Sequence, residues 1–374
     1  MNVKLSRRNM LLLSCAFSAS LSLTPMSIAQ TIEYPANYNE IVEASKTEPA
    51  LTMYGNGTEK DLEPLFNAFK EKYPWVSIAY LDGDSYGIIE RYLNESATGT
   101  PTASVIVTSA TPAWRDLIAR GELVEYESPE AVAYPGQKDQ PSPYLYVAGA
   151  DPIVMAYNKL VLGENLRPTG FASLAELVEA NPDVFNGKLT GYGAHLSGAG
   201  YQIHYALADA HGDEYWDLLK IVGPQSRFER SASSMMEKLM SGEYVVGYLV
   251  AARTVFNAIS DPAVESIIGQ AYLTDGTPLA MRGFGVLRGG ESPNTAKLFV
   301  DFTLSEEGQI AYAAGGGFPA LRTLTEDQAG VSNVFPTIAA QMPEDKIVQI
   351  GRDPEMTNNY DAFLARWKEI TGVE

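Results

Sequence analysis

Apolar positions along the chain switch between two spacings, and the switches mark the elements. In LTMYGNGTEKDLEPLFNAFKEKYPWVSIAYL (51–81), Leu51 to Tyr54 form a short apolar run that predicts a strand. Asn56-Gly57-Thr58 is a turn with helix-start chemistry, and Leu62, Leu65, Phe66 and Phe69 then recur on one helical face. Pro74 closes that helix and Val76 to Leu81 predicts the next strand. Val105 to Val107 reads as a buried strand bounded by Thr108-Ser109, and Trp114, Leu117 and Ile118 open a helix that Gly121 ends.

The theme returns further on. A strand at Leu189 to Tyr192 meets the turn Ser197 to Gly200, and a helix runs from about Tyr201 to His211. Between the two units, YVAGADPIVMAYNKL (146–160) reads as extended. Leu174 to Glu179 and Ser233 to Met240 predict helices, and Tyr244 to Leu249 and FGVLRG (284–289) predict strands. SPNTAKLFVDFTLSEEGQIAYAAGG (292–316) predicts a long helical region broken near Ser305, and Thr357 to Ile370 a final helix. Alternating strands and helices imply parallel sheets covered by helices. Two strand–turn–helix units in 374 residues imply two lobes, each with its own sheet. Ligands of open α/β sheets bind at the carboxyl ends of strands, where these polar turns lie.

Composition narrows the partners. The chain is 45% hydrophobic and 20% charged, so it builds a core, and its net charge is −19. Acids spread along the chain argue against nucleic acid and anionic membranes, both of which need clustered Lys and Arg. The N-terminus reads as an export leader: Lys4, Arg7 and Arg8 precede an apolar stretch, Met10 to Leu23, and Ser27-Ile28-Ala29 resembles a cleavage site. SRRNMLL (6–12) fits the twin-arginine pattern, although a plain basic region looks the same. Cleavage after Ala29 would take the charge to −22 and place the product in the periplasm. Cys15, the only cysteine, lies in the leader after a short apolar run that faintly resembles a lipoprotein box. The mature chain then has no cysteine nucleophile, disulfide or cysteine metal site.

The usual catalytic signatures are missing: HExxH, the GxSxG elbow and the phosphate loop GxxxxGK[ST] do not occur. His195, His204 and His211 lack partners at metal-ligand spacing, and no cofactor is implied. What remains suits an anion. Ser197, Gly198, Ala199 and Gly200 open a helix, where free backbone N–H groups and the dipole attract negative charge, although Ser197 also suits plain capping. Asn56-Gly57-Thr58 and Thr108-Ser109 carry the same double reading. GYLVAAR (247–253) ends an apolar run in Arg253, which suits bidentate binding of carboxylate or phosphate, or a salt bridge to a protein acid. Asp151 could accept from a ligand amine or hydroxyl, or simply start a turn before Pro152. Tyr201, after the Ser197 turn, and Tyr248, on the strand before Arg253, complete the candidate ligand-binding set.

In order and spacing these segments resemble the periplasmic solute-binding proteins of ABC transporters, type II class, the group of ferric-iron, phosphonate, spermidine and sugar-phosphate binders. Residues 51–78 resemble that family's first strand and helix, TASVIVTS…LIARGEL its second ligand loop, and IVMAYNK its crossover strand. LSGAGY is similar to its SGTGY-like loop, and AKLFVDFTLSEEGQIAYAAGGGFPALR to its most recognisable block. The resemblance implies a two-lobed α/β fold, each lobe a mostly parallel sheet flanked by helices, with the ligand in the cleft between them. It puts the N-lobe at 31–148 plus 283–320 and the C-lobe at 149–282 plus 321–374. It implies hinge closure, an inner-membrane ABC permease as partner, and a monomer; Arg253, taken with the absence of the family's iron ligands, favours a small organic anion as ligand, a phosphonate, phosphorylated sugar or alcohol, or carboxylate. The family's iron members use His, Glu and two consecutive tyrosines. Their places fall here at Thr58, Ser109, Ala252 and Arg253, which offer no anionic oxygen for Fe³⁺. The competing readings are a periplasmic hydrolase or transferase on a similar scaffold, which lacks a nucleophile here, and a ligand-loaded partner of a sensor or chemoreceptor.

Overall fold

Apolar runs bounded by turns become strands, and the amphipathic runs become helices laid over them. The computed structural model describes residues 32–373 except 84–86, 135, 136, 138, 139, 322 and 352. The expected leader, with Arg7, Arg8 and Cys15, lies outside the described residues. The strands are β1 (Leu51–Gly55), β2 (Ile78–Asp82), β3 (Val105–Thr108), β4 (Tyr146–Asn158), β5 (Leu189–Tyr192), β6 (Ser226–Glu229), β7 (Val246–Ala251), β8 (Ile268–Ala271), β9 (Thr277–Val286) and β10 (Ile347–Gln349).

Their order is β2-β1-β3-β9-β4-β7-β5-β6, with β10 on β9 and β8 on β4. β1 pairs parallel with β2 and β3, and β5 pairs parallel with β6 and β7. Each parallel set is the sheet of one lobe. β4 and β9 connect them. β4 pairs antiparallel with β9 over Tyr146–Pro152, then with β7 from Ile153 onward, while β9 pairs antiparallel with β3. A 13-residue strand thus leaves one sheet and enters the other.

Both faces of the N-lobe sheet are covered, which is why Val105-Ile106-Val107 has no polar alternation. Met53, Val105 and Val107 pack with Phe66, Phe69, Phe299 and Phe302 on one face, and Tyr54 and Ile106 with Ile88, Tyr92, Trp114 and Leu117 on the other. Helix Glu59–Lys72 is capped by Thr58, whose Oγ1 accepts from Asp61 N, and carries acids in its first turn and lysines in its last, matching its dipole. The C-lobe core gathers Phe185, Tyr215, Leu239, Tyr248 and Trp367.

The helical region 292–316 does break at Ser305, which ends Pro293–Leu304 and caps Glu306–Ala314 by accepting from Gly308 N. One boundary needs correction. Leu321, Leu324, Ala329 and Val334 pack into the N-lobe core, and the C-lobe core resumes at Ile338. The N-lobe therefore extends to about 334 rather than 320, because this segment covers helix Glu306–Ala314 before the chain crosses back.

Candidate functional site

The carboxyl end of β1 turns at Asn56-Gly57-Thr58, and the neighbouring strands hold the turn in place. Tyr80 Oη donates to Gly57 O at 2.6 Å, Gly57 N donates to Asp82 Oδ1 at 3.2 Å, and Asn56 Nδ2 reaches Ser109 Oγ at 3.5 Å. Thr108 is fully buried, with its Oγ1 accepting from Ala110 N. It shapes the loop after β3.

Arg282 ties this turn to the crossover strands. Its Nε and Nη2 both donate to Asp151 Oδ2, at 3.0 and 2.8 Å, and its Nη1 donates to Asn56 O and Oδ1, each at 3.0 Å. Burial opposes the charge on Arg282, and Asp151 outweighs it, leaving the guanidinium above its ordinary pKa. Asp151 therefore does more than start a turn: it is the counter-ion of a buried arginine on the adjacent strand.

Arg253 arrives from the other lobe. The β4–β7 register shifts between Val154 and Ala156, and Leu249 on β7 has φ +57°, a rare backbone state for a residue with a Cβ. This distortion precedes the end of β7, where helix Ala252–Ile259 begins. Arg253, 8% exposed, crosses the seam: its Nη2 donates to Gly315 O at 3.0 Å and reaches Asp61 O at 3.5 Å. Its guanidinium lies 6.0 Å from the Tyr312 ring centroid. It makes no ion pair among the described residues, and its Nε is buried without a partner. A Cβ built on Gly57 would sit 3.8 Å from Arg282 Nη1 and 4.0 Å from Arg253 Nη1, so the two guanidinium groups face one spot.

The structure thus brings Asn56, Gly57, Asp151 and Arg253 together and sets Ser109 beside Asn56, with Thr58 capping the adjoining helix. It adds three residues that sequence reasoning missed: Arg282, Tyr312 and Tyr80. Arg282 carried the same signal as Arg253, a lone cation within an apolar run, in PLAMRGFGV (278–286). Other candidates are engaged elsewhere. Ser197 Oγ accepts from Gly200 N as an ordinary cap, and a Cβ on Gly200 would meet Gly193 O at 2.4 Å, so packing requires that glycine. Gly198 and Ala199 form the first turn of this helix. Tyr201 hydrogen-bonds Met356 O beneath the C-terminal segment. Tyr248 is wholly buried in the C-lobe core, its Oη donating to Ser226 Oγ at 3.0 Å, so it does not face the seam.

The four places that match iron ligands are otherwise occupied. Thr58 caps a helix, Ser109 contacts Asn56, Ala252 is buried, and Arg253 is a cation. Among the described residues no group of three or more His, Cys, Asp or Glu side chains is placed to hold a metal.

Comparison with known proteins accords with this architecture. The fold matches a substrate-binding protein of an ABC transporter from Agrobacterium tumefaciens, with a TM-score of 0.75, 18% identity, and coverage of 88% of this chain and 96% of that one. It also matches iron-bound HitA from Pseudomonas aeruginosa (TM-score 0.67, 19% identity, covering 86% and 99%). A third match is AfuA from Actinobacillus pleuropneumoniae with fructose-6-phosphate bound (0.66, 19%, covering 87% and 99%). At these identities the likeness is one of fold. No curated protein matches the chain in sequence. Residues 65–334 match the family described as bacterial extracellular solute-binding protein, most of the chain's length. The chain belongs to that family of solute-binding proteins, and not to a family of enzymes.

Proposed function

We propose that this protein captures a small organic anion in the periplasm and delivers it to an inner-membrane ABC importer. The observation that carries the reading is Arg253, a buried guanidinium with no ion pair among the described residues, facing the same spot as Arg282. Arginine is the side chain suited to hold carboxylate, phosphate or phosphonate bidentately. Two cations at the seam also disfavour Fe³⁺ or a polyamine as the ligand. β4 and β9 supply the hinge, and a solute touching both lobes would favour the closed arrangement through its differential affinity.

The test is a melting screen of the mature protein against phosphonates, phosphorylated sugars and alcohols, carboxylates, polyamines, neutral sugars and ferric citrate. An anion present at 100 times its Kd should add about 2.7 kcal/mol of stability. Stabilisation by polyamines, neutral sugars or iron alone would overturn the anion reading. Uptake of the hit should fall when the gene is deleted and return when it is restored. Unchanged uptake would remove the importer from the proposal.

A further inference from the structure

We infer that the captured anion also carries a hydrogen-bond donor, an amine or a hydroxyl, and that Asp151 Oδ1 receives it. This rests on the anion reading above and specifies what else the solute must contain. Asp151 is 5% exposed. Both bonds that Arg282 makes to Asp151 go to Oδ2, and Oδ1 is buried with no partner. A buried carboxylate oxygen without a donor is costly, so this atom calls for one.

Two further unpartnered polar atoms lie at the same seam. Tyr312 Oη, from the N-lobe, is buried without a partner, and so is Arg253 Nε, from the C-lobe. Tyr312 packs over the crossover strand: a Cβ on Gly149 would fall 2.9 Å from its hydroxyl, so only glycine admits it there. Gly149 and Asp151, two apart on β4, point to one face. Burial and the charge of Asp151 raise the Tyr312 pKa, which keeps its hydroxyl protonated. On the C-lobe side, burial and, to a smaller degree, the charge of Asp151 raise the pKa of Tyr192, the last residue of β5, against the lowering effect of the Ala232 and Ala251 backbone.

The unmet atoms therefore differ in kind. Arg253 Nε is a donor, Tyr312 Oη donates or accepts, and Asp151 Oδ1 only accepts. A simple anion offers acceptors alone. It would satisfy Arg253 and Tyr312 and leave Asp151 Oδ1 facing a second negative charge. A solute with its anionic group toward the arginines and an amine or hydroxyl toward β4 meets all three. The rival account gives Asp151 one task, holding Arg282 in place.

The experiment uses two matched series on the mature chain: propylphosphonate, 3-aminopropylphosphonate and 3-hydroxypropylphosphonate, and butyrate, 4-aminobutyrate and 4-hydroxybutyrate. Titration calorimetry should show the amino or hydroxy member of a series binding about tenfold or more tightly than its plain alkyl member, the size expected of a hydrogen bond to a charged group. The amino and hydroxy arms identify which donor is used. In Asp151→Asn that selectivity ratio should shrink toward one. Equal affinity across each series in the unaltered protein would overturn the inference and leave the anion reading standing. So would a selectivity ratio unchanged in Asp151→Asn, the result expected if Asp151 only positions Arg282. Absence of binding by all six anions would count against both readings.

Discussion

Two of the bridges across the seam between the lobes are made by different means. At one, side chains of the candidate site do the bridging: Arg253 from the C-lobe grips Gly315 O and Asp61 O, and Arg282 grips Asn56. At the other, the C-terminal segment is laid between helices of both lobes. Arg115 Nη1 donates to Asp353 O at 3.0 Å, and Gly351, with φ +80°, abuts Thr111 from the N-lobe side. Tyr205 Oη donates to Asp353 Oδ2 at 2.6 Å and Tyr201 bonds Met356 O from the C-lobe side. The first bridge is made of charges that a solute would share. The second is made of contacts that no solute need touch. Ligand dependence should therefore belong to one bridge and baseline stability to both.

The largest effect expected is that of Arg282→Ala. It leaves Asp151 buried and uncompensated, a defect that costs about 3–5 kcal/mol, and denaturant unfolding of the ligand-free protein should register it. Adding Asp151→Ala should restore part of the loss, because the stranded charge is gone. A double variant no more stable than the single one would show that Asp151 is not the source of the defect. Next comes Arg253→Ala, which strands no carboxylate. Its melting temperature should move less than that of Arg282→Ala, while affinity for the identified anion weakens about 10- to 150-fold, from the loss of roughly 1.5–3 kcal/mol of charge-assisted bonding. Arg253→Lys should recover only part of that affinity, since lysine lacks the planar fork. If Kd stays within about twofold of wild type, a small step on the scale of tenfold per 1.4 kcal/mol, Arg253 is a clasp between lobes and not a ligand contact.

How much of this was legible depended on sequence distance. The β1–helix–β2 unit is local, and its apolar spacing and the Thr58 cap were enough to read it. The break at Ser305 was announced by Ser-Glu-Glu, a capping residue ahead of acids. Arg253 was found because it ends its apolar run. Arg282 is hidden in the sequence because its strand begins well before the run FGVLRG that marks it, and its counter-ion is 131 positions away. Tyr312 sits inside a helix where its apolar neighbours make it look like core. Nothing in the spacing of 350–356 predicts a bridge, since that segment has no repeating period and the bonds that make the bridge run to remote elements.

The second bridge should respond more modestly. Tyr205→Phe removes the bond to Asp353 and the one that Asn359 Nδ2 donates to the phenol oxygen. Asp353 is only partly buried, so solvent screens this charged bond and about 1.5 kcal/mol should be lost, the lower end for a bond to a charged group, with Kd for the anion altered by less than about twofold. A large loss of affinity would mean that the two bridges are coupled and that solute binding depends on both.

The smallest effect expected is a response to acid confined to the C-terminal segment. Tyr205 and the backbone N–H of Glu355 hold the Asp353 carboxylate below its ordinary pKa. A carboxylate depressed in the folded state contributes stability above its unfolded pKa, near 3.8, and loses it as pH falls through the folded value. Global melting would hide this, because buried groups, Asp301 and His204 among them, act at higher pH with opposite signs. Burial raises Asp301 in the N-lobe to about 6, so its contribution grows as pH falls through 6 and is complete below the unfolded value of 3.8. Burial lowers His204 in the C-lobe to about 4, so stability is lost as pH falls from 6.5 toward 4. A local readout separates them: hydrogen-exchange protection in helix Tyr360–Thr371, corrected for intrinsic rates, should decline below pH 3.8. Asp353→Asn should flatten that decline, since the amide does not titrate. If protection in Asp353→Asn falls with pH as steeply as in the unaltered chain, the second bridge does not depend on the Asp353 charge and rests on backbone contacts alone.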